Sequence, residues 1–185
     1  MAICPGGHDP ARTGVCDVCG LPIGRDPAPS SFPYSQATFP YSQATWSAVI
    51  GADRAYYDRV QEITGTLGAA VAFPGHGAAR RFQLRGNQMR IGRRSASRGL
   101  APEIDLSGPP ADPGISRLHA VLVAVPAGHW AVLDPGSANG TLVNGAEIAT
   151  GQQVMLREGD CINLGAWTAI TVYRDDHLND YRAGR

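Results

Sequence analysis

From Trp46 onward, short runs rich in apolar, aromatic and β-branched residues alternate with glycine, proline, asparagine and aspartate. Most runs are of strand length, and the residues between them are those that turn a chain. Strands are predicted near residues 46–52, 69–73, 80–84, 88–92, 103–106, 118–125, 129–133, 141–143, 153–156, 161–164 and 167–174. Turn signals separate them at Arg85-Gly86-Asn87, Pro126-Ala127-Gly128, Asp134-Pro135-Gly136, Asn144-Gly145 and Glu158-Gly159-Asp160. About eleven short strands with regular turns predict a mainly β fold, a β-sandwich. One helix is expected, from Asp53 to Glu62: Asp53 can cap it, and Tyr56, Val60 and Ile63 share one face.

Ahead of the strands lie two segments of different character. Residues 25–45 form a Pro/Ser-rich linker carrying a perfect tandem heptapeptide, Phe32 to Thr38 followed by Phe39 to Thr45. The proline in each copy and the lack of paired aliphatic positions exclude a coiled coil, so a flexible spacer is expected. Residues 1–24 hold three of the four cysteines. Cys4, His8, Cys16 and Cys19 follow the spacing C-x3-H-x7-C-x2-C, a donor set that suits tetrahedral zinc. The segment is too short for a core of its own, so a structural Zn2+ would supply its folding energy. A redox reading of Cys16 and Cys19 is weaker, because no βαβ pattern surrounds them. Cys161, alone in an apolar strand, is expected as a small core residue.

Lys+Arg and Asp+Glu balance at 16 each, which argues against nonspecific nucleic-acid binding by the whole chain. No apolar run reaches membrane-spanning length, and the first residues lack a basic and then apolar leader pattern, so a cytoplasmic protein is expected.

Four motifs occur in order: Met89 to Ser95, Glu103 to Leu106, Gly114 to Ala120, and Asp134 to Gly145, with Gly159 to Gly165 continuing the series. Each falls at a strand end or turn, where a rigid scaffold presents side chains. Arg93 offers a guanidinium fork, Ser116 a hydroxyl and Arg117 a second cation, the donors an anionic phosphate needs. Seven arginines between Arg80 and Arg98 add a local positive field.

The ordered set resembles the forkhead-associated (FHA) family over roughly residues 79–174. The resemblance implies an FHA-type β-sandwich that binds phosphothreonine proteins without catalysis. Positions 46–78 would then be an extension packing on the sandwich, and 175–185 a tail. By resemblance, Arg93 and Ser116 hold the phosphate and Asn139 the peptide backbone. Arg117, Arg94 and Ser95 add contacts, while Gly92, His119, Gly140, Thr141 and Asn144 support the binding loops. Ala138 stands where several members carry a hydroxyl residue, and so offers no side-chain donor there. The implied partners are a bacterial Ser/Thr kinase or its substrates, with no nucleic acid and no membrane insertion. The N-terminal Cys/His module is similar to half of a bacterial zinc ribbon.

Three other expectations accompany this one. A hydrolase could use Ser116, His119 and Asp134, although no Gly-x-Ser-x-Gly elbow or βαβ pattern is present. An FHA scaffold with a degenerate site could bind unphosphorylated partners. Thr38 and Thr45, if phosphorylated, could dock on the protein's own site or on a neighbour, offering Tyr41 and Ala48 as the third residue beyond.

Overall fold

The computed structural model describes residues 45–64, 71–75 and 78–175. The expected zinc ligands Cys4, His8, Cys16 and Cys19, the heptapeptide repeat up to Ala44, and the tail beyond Asp175 lie outside the described residues.

Two sheets pack face to face. The first has six strands: Trp46–Ala52 (β1), Arg80–Leu84 (β2), Thr141–Val143 (β7), Ala146–Glu147 (β8), Cys161–Leu164 (β10) and Thr168–Arg174 (β11), in the spatial order β2-β1-β11-β10-β7-β8. The second has five: Gln88–Gly92 (β3), Ile104–Asp105 (β4), Ala120–Val125 (β5), His129–Leu133 (β6) and Gln153–Leu156 (β9), in the order β4-β3-β5-β6-β9. The β3–β4 pair is parallel and the remaining pairs are antiparallel.

Side-chain alternation explains why the sheets close on each other. In β1, Trp46, Ala48 and Ile50 face the core, and in β11 Ile170 and Val172 do so. From the opposite sheet Met89, Ile91, Leu122, Trp130 and Val132 meet them. Fully burying one such side chain contributes roughly 1.5–3 kcal/mol. Trp46 also donates its indole N–H to the Gly128 carbonyl at 2.9 Å, joining β1 to the β5–β6 turn. A second, smaller cluster forms on the outer face of the five-stranded sheet, where Val121 meets Leu100 and Leu118.

Several expectations change here. Residues 46–52, expected as part of an extension packed on the sandwich, supply one of its inner strands, hydrogen-bonded between β2 and β11. The expected strand over 69–73 is not formed across its described part, 71–73. The Val71 carbonyl instead accepts the Tyr57 hydroxyl at 2.6 Å, and Phe73 packs against the Tyr57 ring. Strand β8 was not expected. It follows from the Asn144-Gly145 turn, whose φ angles of 51° and 81° are those of a tight hairpin. Cys161 is half-buried and alternates out of phase with the core-facing Ile162 and Leu164, so it is not a core residue.

The helix runs from Arg54 to Thr64 (α1). Asp53 caps it, its carboxylate accepting the Tyr56 N–H at 3.0 Å. Burial falls along the expected apolar face: Tyr56 is buried, Val60 half-buried and Ile63 85% exposed. Ile63 therefore does not pack. The helix is pinned at its first turn, where the Tyr56 hydroxyl donates to the Gly165 carbonyl at 2.9 Å.

Candidate functional site

Three loops meet at one end of the sandwich: the stretch after β3 (93–95), the β4–β5 loop (106–119) and the β6–β7 loop (134–140). Their contact begins with Gly92. A Cβ built there would lie 2.1 Å from the Arg117 carbonyl oxygen and 3.0 Å from that of Ser116, so only glycine lets the two backbones approach. The Arg93 N–H then donates to the Ser116 carbonyl at 3.1 Å, and Arg93 Nε to the Ile115 carbonyl at 2.6 Å. This fixes the guanidinium while leaving both terminal nitrogens as donors.

The β4–β5 and β6–β7 loops are joined by two of the expected site side chains. Ser116 Oγ accepts the Ala138 N–H at 3.0 Å, and its own proton remains available to donate. Asn139 Nδ2 donates to the Gly114 carbonyl at 2.8 Å, which leaves Oδ1 as an acceptor. Arg117 is exposed, and its guanidinium makes no hydrogen bond or ion pair among the described residues. The geometry therefore brings Arg93, Ser116, Arg117 and Asn139 to one place.

Arg94 and Ser95 are engaged with their own surroundings. Arg94 Nε donates to Asp105 Oδ2 at 3.0 Å, and the Arg94 N–H to Ser107 Oγ at 2.8 Å. Burial alone would raise the Asp105 carboxyl, but the bonds from Ser107 and Arg94 outweigh it and hold the group at about 2. Ser95 exchanges backbone hydrogen bonds with Leu100, and its hydroxyl lies 3.4 Å from that of Ser97. Two further arginines of the run are ion-paired. Arg90 forks onto Glu103, and Arg81 bonds Asp175.

His119 is fully buried beneath the loops. Its Nδ1 accepts the Ser116 backbone N–H at 3.0 Å, and Nε2 lies 3.0 Å from the Gly140 carbonyl oxygen. A carbonyl only accepts and an N–H only donates, so the ring must be neutral with its proton on Nε2. Burial lowers its pKa, outweighing the Gly140 bond and the fields of Asp134 and Asp112. This arrangement is incompatible with the alternative hydrolase triad. The nitrogen that would take the Ser116 hydroxyl proton is occupied by the Ser116 N–H. The Asp134 carboxylate is hydrogen-bonded elsewhere. It accepts Gly136 and Ser137 N–H, each at 2.7 Å, with the Ser137 hydroxyl at 2.7 Å and the Thr141 hydroxyl at 2.8 Å. Burial would raise its pKa, but these bonds bring it below the ordinary carboxylate value.

Gly140 and Thr141 thus support the loops, through His119 and Asp134 respectively. Asn144 does not. Its side chain donates to Asp160 at 2.8 Å and accepts the Cys161 N–H at 2.9 Å, holding the β7–β8 turn against the start of β10. One strong support escaped the sequence reading. The buried Asp112 carboxylate accepts the N–H groups of Gly114, Ala166, Trp167 and Thr168, and the Thr168 hydroxyl at 2.8 Å. It splices the β4–β5 loop to the β10–β11 turn. The only local signal was the Asp112-Pro113-Gly114 turn, and its distant partners leave no mark in the sequence.

Among the described residues, no group of three or more His, Cys, Asp or Glu side chains is placed to hold a metal. No helix among them is long and apolar enough to cross a membrane.

Residues 89–165 match the family model for the FHA domain. An FHA domain-containing protein of Arabidopsis thaliana is 41% identical over 61 residues, covering 33% of this chain and 16% of the plant protein. Protein FraH of Nostoc sp. is 35% identical over 72 residues, covering 39% of this chain and 25% of the relative. The chain thus spans a quarter or less of the lengths of these curated relatives. A solved FHA structure, from a structural and functional analysis of phosphothreonine-dependent FHA domain interactions, is 26% identical. That alignment covers 69% of this chain and 95% of the other, with a TM-score of 0.43.

Proposed function

Residues 89–165 are an FHA domain, and from that premise we propose that the chain is a phosphothreonine-dependent adaptor in Ser/Thr kinase signalling. Arg93 and Ser116 hold the phosphate, Arg117 adds a second cation, and Asn139 Oδ1 accepts a peptide N–H. The observation that carries this reading is the convergence of three loops on Arg93, Ser116 and Asn139, each with one donor or acceptor spent on the scaffold and another left over. Holding each side chain by one bond removes much of the entropy cost of ordering it on a ligand. A phosphate brings a charge of about −1.5 to −2 and strong acceptors. Charge-assisted hydrogen bonds contribute roughly 1.5–3 kcal/mol each, so two or three are compatible with micromolar binding.

Ala138 serves this site through its backbone. Its N–H orients Ser116 Oγ, so a side-chain hydroxyl at that position is not required to aim the phosphate donor. The committed hydrogen bonds of His119 and Asp134 favour binding over hydrolysis.

The test is a titration of the full chain with a phosphothreonine peptide library, beside phosphoserine and unphosphorylated pools. Selective phosphothreonine binding that disappears in Arg93→Ala is the expected result. Equal binding of unphosphorylated peptides by both proteins would instead favour a scaffold with a degenerate site.

The zinc knuckle is a separate proposal, resting on the spacing of Cys4, His8, Cys16 and Cys19. One equivalent of zinc by elemental analysis, lost in Cys16→Ser, is expected. A metal-free purified chain would count against it. A cytoplasmic setting and a kinase or its substrates as partners belong to the same proposed reading.

A further inference from the structure

The six-stranded sheet steps back at one corner of the sandwich. Ile50 of β1 pairs with Arg80, the first residue of β2, while Gly51 and Ala52 pair with Ala169 and Thr168 of β11 and reach past β2. The row of β1 side chains that faces the core therefore ends unfilled. Trp46, Ala48 and Ile50 are buried, and Ala52, next in the alternation, is exposed. At this corner lies a cavity of about 260 Å3.

Its walls are mainly apolar. Ile50 and Ala52 line it from β1, Trp167 from the residue before β11, and Leu106, Pro109 and Pro110 from the β4–β5 loop. The two prolines carry no N–H, so they offer no backbone donor to hold water. A dry aliphatic cavity of about 150 Å3 takes up benzene, so this one has room for roughly six to ten heavy atoms.

One cation stands in the wall with donors to spare. Arg80 Nη1 donates to the Asp105 carbonyl at 3.2 Å, and the guanidinium lies 5.8 Å from the centre of the Phe82 ring. Its Nε and Nη2 make no hydrogen bond or ion pair among the described residues. The other charged group in the wall, Asp112, is 2% exposed and already accepts five hydrogen bonds. Arg80 therefore decides the sign of charge the cavity prefers. An apolar hollow with one oriented polar group is the usual make-up of a small-molecule site.

We propose that this cavity binds a small apolar monocarboxylate, its hydrocarbon part against Leu106, Trp167 and the prolines, and its carboxylate on Nε and Nη2 of Arg80. Hydrocarbon burial supplies affinity, and the charge-assisted fork selects an acid over a neutral relative. The cavity shares no lining residue with Arg93, Ser116 or Asn139, so the assignment stands apart from the phosphothreonine reading.

The test is an NMR titration of the full chain, following backbone amides, with 4-methylpentanoate and its neutral amide. Wild type should bind the acid with a dissociation constant on the order of 1 mM and the amide about tenfold more weakly. Shifts should centre on residues 50–52, 106–112 and 167–168. Arg80→Gln, an exposed position, should bind acid and amide equally, because it removes the fork and keeps the hydrocarbon wall. Ala52→Phe, also exposed, should fill the cavity and abolish binding of both while the protein stays folded. No binding of the acid by wild type overturns the proposal, as does equal binding of the amide or an undiminished acid preference in Arg80→Gln. Shifts centred on Arg93 and Ser116 overturn it too, since they would put the acid in the phosphate site. No phosphopeptide enters the titration, so its failure leaves the phosphothreonine reading untouched.

Discussion

At the residue scale, the site depends on positions that never touch a ligand. Gly92 has no room for a methyl group against the Arg117 carbonyl. Gly92→Ala should cost about 3 kcal/mol, the upper end of an overpacking penalty, and weaken phosphopeptide binding at the same time. A urea unfolding midpoint measured beside a peptide titration checks both. His119 carries a pH dependence with a definite sign. Its folded pKa lies below 6.5, so the unfolded chain takes up the proton first. The stability it contributes is fully present above about pH 6.5 and is lost as pH falls from there toward the folded value. Protonation would put an N–H on Nδ1 facing the Ser116 N–H, breaking the bond that orients the Ser116 loop. The drop in unfolding free energy between pH 8 and pH 5 should therefore be smaller in His119→Gln than in wild type.

At the scale of elements, what was readable in the sequence follows a physical division. Strands such as β6, His129–Leu133, were legible because alternation and β-branched residues report on the local backbone. Asp53 was legible as a cap because its partner, the Tyr56 N–H, is only three residues away. Arg93, Ser116 and Asn139 were named because the motifs holding them resemble a family. Asp112 was missed because four of its five partners lie more than fifty residues away. Ile63 was misjudged because periodicity names a face and does not say whether anything lies against it. The splice at Asp112 gives a test at this scale. Asp112→Ala strands several buried N–H groups and should cost about 3 kcal/mol or more. It should also loosen Gly114 and, through it, Asn139. Ile170→Ala, a core truncation in β11 away from the loops, should cost about 2–5 kcal/mol yet leave peptide affinity unchanged in the folded protein. Comparing the two variants by denaturation and by titration separates support of the site from support of the fold.

At the scale of the whole molecule, β1 sets a direction. Its last residue, Ala52, pairs with Thr168 beside the loops, and its first, Trp46, pairs with Arg174 at the other end. The carbonyl of Thr45, exposed and directly ahead of β1, accepts the Asp175 N–H at that far end. Seven strand residues at about 3.3 Å each place it about 20 Å from the loops. A phosphate on Thr45 cannot close on its own molecule. The Thr45-phosphorylated chain should keep an open site when dilute, binding an added peptide with unchanged affinity. When concentrated it should form larger species that Arg93→Ala abolishes, as sedimentation would show. A phosphorylated Thr45 and a phosphothreonine site at opposite poles would make an asymmetric building block, with heterologous contacts and growth that stops only if a ring closes. In such a molecule, occupancy of the site counts neighbours, and a single modification reports how crowded the protein is rather than whether it has been modified.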